Sequence, residues 1–174
     1  MTFNAQLTAS LGWTWDDGAL DDDRLDYAEQ FAQGNGDDEA EAVWHVEDQI
    51  LPDGATVTLD LSALERTVLG DVNTTTLLTV KALLLSSDSQ SVGQLVVGGA
   101  AADPWSAPFV ADADQAVVSP EGALLLANPG AGWPVDETHR NLQLTASGGD
   151  VTYSAAIVGT LTAAASDSGS GSGM

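Results

Sequence analysis

Between Thr74 and Ser87 the chain reads TTTLLTVKALLLSS, with Lys81 as its single charge. A segment this apolar has to be covered on both faces, as the middle strand of a buried sheet is. Three threonines lead in and the polar stretch SSDSQS leads out, the way a buried strand enters and leaves a sheet. The run is read as the central strand of an all-β domain, and the remaining segments are organised around it.

Size and charge narrow the classes. At 174 residues and 44% hydrophobic content the chain fits one domain with a core of its own. It has no cysteine, which excludes a disulfide framework and a thiolate metal site. The start, MTFNAQLTAS, shows neither a basic n-region nor an apolar h-region, and no run is long enough to cross a bilayer, so a soluble, unexported product is expected. Lys+Arg is 4 against Asp+Glu of 26, a formal charge of −22. The basic residues Arg24, Arg66, Lys81 and Arg140 are scattered, which argues against phosphate binding and therefore against nucleic acid. Two roles remain for the acids: capture of a hard cation, or solubility in molar salt, where the Debye length falls to about 3 Å. The acids are spread along most of the chain, which favours the salt reading and a halophilic source.

Residues 1–41 are expected to form an N-terminal strand or arm and a long acidic loop packed on the sandwich. In NAQLTASLGWTW, Trp13 and Trp15 share a face if the segment is extended, giving an edge strand or an arm laid on a neighbour. In the acidic part that follows, Leu20, Leu25, Tyr27 and Phe31 suit at most one helical turn, which Gly34 and Gly36 end. The β-sandwich is expected over 42–162. AVWHVEDQIL opens it, the turn LPDGA follows, and ATVTLDLSAL alternates Val57, Leu59 and Leu61 inward against polar neighbours. A loop through Gly70 leads to the central strand. VGQLVV, a short strand at Ala116–Ser119, ALLLANPGAGW, NLQLTA and VTYSAAIVGTL continue the pattern, the last two read as joined by a hairpin turn at Gly148, Gly149 and Asp150. About eight short strands at this spacing indicate a jelly-roll-like sandwich. A Ser/Gly-rich tail over 163–174 is expected to be flexible.

The chemistry-bearing residues are few. His45 and His139 are the only histidines, and a metal or general-base role would need Glu47 or Asp136 beside them; a satisfied structural histidine is the simpler reading. The acidic clusters do not follow EF-hand spacing. No cofactor is expected, and a structural Ca2+ or Mg2+ would take Asp21, Asp23, Asp37 and Asp38 as its ligands. No G-x-S-x-G elbow or phosphate-cradling motif is present. Trp13, Trp15, Trp44, Trp105 and Trp133 are the expected packing or interface anchors.

Trp44–His45, GATVTLDLSAL, TVKALLL, LVVGGA, GALLLANPGAGW and GGDVTYSAAIVGT, in that order from about Gly34 to Thr160, resemble a family of small virion structural proteins of tailed viruses. The resemblance implies a β-sandwich that assembles on the virion, and it transfers no catalytic residue. The acidity and the aspartate-rich N-terminal segment depart from the family pattern and suggest a tailed virus of a halophilic archaeon. The expected function is thus non-enzymatic: a head-surface decoration (cement) or turret protein, made in the host cytoplasm. Its expected partners are copies of itself and the major capsid protein or another virion protein, with no nucleic acid and no membrane. The alternatives are a tail or neck component, a calcium-dependent carbohydrate-binding attachment module, or a hydrolase with an unrecognised acid pair.

Overall fold

The computed structural model describes residues 3–16 and 20–161, without the side chains of 14–16, 20–23 and 68. All regular structure in it is β. The strands are β1 (Ala5–Asp16), β2 (Leu20–Gln33), β3 (Glu39–Ala40), β4 (Ala42–Leu51), β5 (Thr56–Asp60), β6 (Leu64–Val68) and β7 (Asp71–Thr75). They continue as β8 (Leu77–Ser87), β9 (Gln94–Gly98), β10 (Gln115–Val118), β11 (Ala123–Ala127), β12 (Trp133–Pro134), β13 (Asn141–Ser147) and β14 (Val151–Leu161).

Two sheets form the sandwich. One runs β10-β9-β13-β5; the other runs β11-β8-β14-β4, with β12 added beside β8. As the sequence predicts, β8 is an interior strand, paired with β14 on one side and β11 on the other. Strict alternation in β13 and β14 sends Leu142, Leu144, Tyr153, Ala155 and Ile157 into one core with Leu83, Leu85, Leu95 and Val97. Trp44 and Trp105 are buried in the same core.

Three sequence expectations are corrected. The acidic segment is a strand, not a loop: β2 pairs with β1 from Leu20↔Asp16 to Phe31↔Ala5, a long antiparallel ribbon. Leu25, Tyr27 and Phe31 fall on one face at a period of two, and the aspartates, poor strand formers in general, stand in a ribbon that is wet along most of its length. The loop through Gly70 is a second small hairpin, β6 with β7. The turn at Gly148–Asp150 is not a hairpin, because β13 and β14 belong to different sheets. It is a corner of the sandwich. Asp53 and Asp150 tie it to the neighbouring corner: the Asp150 carboxylate accepts the Asp53 N–H at 2.9 Å and the Asp53 carboxylate accepts the Gly149 N–H at 2.9 Å.

Within β8 the register shifts by one residue at Lys81, since Val158 pairs with Ala82 while Gly159 pairs with Val80. The shift lets Val80 join the core although Ala82, two positions on, faces away from it. Lys81, only 1% exposed, donates from Nζ to the carbonyl oxygens of Gly36 at 3.0 Å, Pro129 at 3.1 Å and Gly130. All three ammonium protons therefore have acceptors. Since Gly36 belongs to the β2–β3 turn and Pro129 and Gly130 to the loop after β11, this one cation fastens the base of the β1–β2 arm to the sandwich. The Asp38 N–H reinforces the same joint by donating to Pro129 O at 3.0 Å. The tail over 163–174 lies outside the described residues.

Candidate interaction surface

The β1–β2 arm is amphipathic by register. Ala5, Leu7, Ala9, Leu11 and Trp13 share a face with Phe31, Tyr27 and Leu25, interrupted by the positions of Glu29 opposite Leu7 and Asp23 opposite Trp13, while Gln6, Thr8, Ser10 and Gly12 share the other with Gln30, Ala28, Asp26 and Arg24. At its base the apolar face is used: Phe31 is buried with Ala40 and Ala82, and Phe3, Ala5, Leu7 and Val158 close around them. Farther out it is bare. Leu11 is 65% exposed, Leu25 67%, Trp13 43% and Tyr27 39%. Partial burial, then the Glu29 and Asp38 carboxylates, raise the pKa of the Tyr27 phenol, so it stays neutral on this face.

The outer face of the β11-β8-β14-β4 sheet continues the apolar surface. Cross-strand register places Val43 beside Val158, Val158 beside Ala82, and Leu84 between Ala156 and Leu125. An apolar pocket of about 210 Å³ lies between this face and the arm, lined by Leu7, Phe31, Val43, Leu84 and Ala156 among others. Beyond the arm, Val43 remains 47% and Leu84 40% exposed. The central strand, which the sequence requires to be covered on both faces, is covered only in part.

The tryptophans divide. Trp44 is buried and its Nε1–H donates to Glu65 O at 3.0 Å; Trp105 is buried and its Nε1–H donates to Pro134 O at 3.1 Å. Trp133 meets Trp105 edge to face, centroids 6.1 Å apart. Of the two roles expected for the tryptophans, packing or interface anchor, Trp44 and Trp105 take the packing one in this chain. The pair in the Pro/Gly loops offers no stacked platform for a sugar. Among the described tryptophan side chains Trp13 is the exposed one and Trp133 is half-buried, while Trp15 lies in β1 with its side chain outside the described set.

The titratable candidates are structural where their partners are visible. The Asp136 carboxylate accepts from Thr138 N–H and Oγ1–H at 2.8 Å each and from His139 N–H at 2.9 Å, and the His139 ring nitrogen Nδ1 lies 3.2 Å away. The Thr138 bonds, with lesser help from His139, hold the Asp136 pKa down at about 2. His45 faces Glu47 at 3.7 Å in a polar groove of about 440 Å³ shared with Glu65 and Arg66. Among the described residues no three His, Asp or Glu side chains converge as a metal site would need. Asp37 and Asp38 lie in the β2–β3 turn, and Asp21 and Asp23 lie in β2 with side chains outside the described set.

What the arrangement offers chemically is contact area. Sequence reasoning found the arm at Asn4–Trp15 but not its second strand, and the period-two signal of Leu25, Tyr27 and Phe31 was the cue. Comparison with protein-family models and with curated proteins gives no match for this chain.

Proposed function

We propose that this chain is a non-enzymatic structural protein of a tailed virus, carried on the head surface as a capsid decoration or turret subunit and assembled with copies of itself and a shell protein. The observation that carries the reading is the bare apolar surface of arm and outer sheet on a molecule of charge −22. A freely diffusing acidic protein has no use for exposed Leu11, Trp13, Leu25, Val43 and Leu84; an assembling one needs them. The strand order supports a jelly-roll reading: β4 with β14, β5 with β13, β8 with β11 and β9 with β10 are four antiparallel pairs nested in sequence. The ordered motifs from Trp44 to Thr160 that resemble virion proteins point the same way.

On this reading the sandwich is a rigid body that adds buried area across joints in the shell, and the acidic remainder keeps particles dispersed in brine. A reconstruction of the host virus particle tests it. The expected result is this chain at stoichiometric, symmetry-related positions on the head. Its presence only at the tail or neck would move the site of assembly, and its absence from particles would overturn the proposal.

A further inference from the structure

We propose that two copies of the chain pair antiparallel along β1, so that their arms merge into one four-stranded sheet, β2-β1-β1-β2. The starting observation is an asymmetry between the two strands of the arm. In a chain with 26 acids, β1 runs from Ala5 to Trp15 without a charge and carries only Asp16 at its end. β2 carries Asp21, Asp22, Asp23, Arg24, Asp26 and Glu29. Among the described residues β1 is also the terminal strand of its sheet, hydrogen-bonded there to β2 alone, so one full row of its backbone N–H and C=O groups has no strand partner in that set.

An open strand edge is a template for another strand, and proteins that must not pair there place charges on it. β2 follows that rule along its own free edge and β1 breaks it. A second copy is the occupant the charges select: two molecules of −22 approach each other at least cost along an uncharged line, and an antiparallel pair about a two-fold presents that line to itself. An isolated two-stranded ribbon is marginal in water, whereas four strands with one apolar face are not. Pairing also aligns the bare Leu11, Trp13, Leu25 and Tyr27 of both copies on a single face. A basic partner would bind β2 instead, and its binding would weaken with salt; pairing along β1 strengthens with salt as repulsion between the copies is screened.

This deepens the assembly role proposed above and is tested apart from it, in solution. The mass of the full chain is measured by light scattering and sedimentation equilibrium as chloride is raised into the molar range. Wild type is expected as a two-fold species whose dissociation constant falls with salt. Gln6→Glu with Thr8→Glu charges the polar face of β1 and spares the apolar face; it is expected to weaken association by about tenfold or more. Gln30→Glu with Ala28→Glu puts the same charges on the direct cross-strand partners in β2, and it is expected to associate as wild type does. Melting temperature and far-ultraviolet dichroism establish that both variants fold. A wild-type monomer in molar salt, or equal weakening by the two variants, overturns the pairing. A dimer with no place on the virus particle leaves the pairing standing and removes the virion reading.

Discussion

Lys81 shows how one residue can decide the position of a whole element. Its ammonium group is buried, and the carbonyls of Gly36, Pro129 and Gly130 replace the water it loses. Lys81→Met keeps the stem and removes the three donors, taking from the Gly36 and Gly130 carbonyls the partner that Lys81 supplies while Pro129 O keeps the Asp38 N–H, and is expected to cost about 2 kcal/mol. The loss should concentrate at the arm's base, read as faster amide exchange at Asp38 than in β13; uniform loss would contradict the fastening role. Asp136 gives a pH-dependent case. Its folded pKa is about 2 against an ordinary 3.8. A depressed folded value means that the contribution is complete above the unfolded pKa and is lost as pH falls through the folded one. Replacing Asp136 by Asn should therefore lower Tm by a constant amount at neutral and mildly acidic pH, with the gap to wild type closing between about pH 4 and about pH 2. A gap that persists unchanged at the acid end would show that the carboxylate's charge plays no part in the turn.

Among the elements, the bulge in β8 makes the sharpest demand on sequence. Gly159 stands opposite it, and a Cβ there would fall inside contact distance of the Thr79 carbonyl oxygen, with Leu77 Cδ2 at 3.3 Å. Gly159→Ala must push β14 away from β8, and a destabilisation of about 1–3 kcal/mol is expected in chemical denaturation; a neutral result would mean that the strands do not approach so closely. The hydrophobic periods of Val57–Leu61, Leu142–Leu144 and Val151–Leu161 were legible because each has one face in the core. The register shift at Lys81 was not, since it depends on which residue of β14 lies opposite. Nor were the corners: PDG and GGD look alike whether a chain doubles back in one sheet or crosses to the other. The aspartate run hid β2 because strand propensity is weakest where the strand is wettest. Trp44 and Trp105 were legible as packing aromatics, while their burial depends on contacts with Glu65 and Pro134 that lie distant in sequence.

Across the whole molecule the acid excess admits two physical roles that predict different experiments. If the carboxylates hold a structural cation, stability depends on that ion at any ionic strength, and a chelator removes it. If they are a solvation shell for brine, stability depends on screening. The Debye length shrinks from about 10 Å at 0.1 M salt to about 3 Å at 1 M, so neighbouring acids cease to repel while contacts in the core are untouched. The visible ion pairs are too few to offset the charge: Arg24 with Asp26 at 2.7 Å is exposed, and Arg140 reaches Asp103 at 3.4 Å and Asp60 at 3.9 Å. The proposed life in high salt therefore predicts a Tm that climbs steadily with potassium or sodium chloride, by about 2–4 °C for each kcal/mol of repulsion relieved. Chelator at constant ionic strength should leave the curve where it is, and titration with Ca2+ or Mg2+ should release no heat beyond dilution. A Tm independent of salt would remove the brine reading, and a drop on chelation would transfer the acids to metal binding. The same screening would govern the proposed pairing, because copies of like charge can bring their β1 edges together, with the acids of β2 one strand away, only once the field between them has been shortened to a few ångströms.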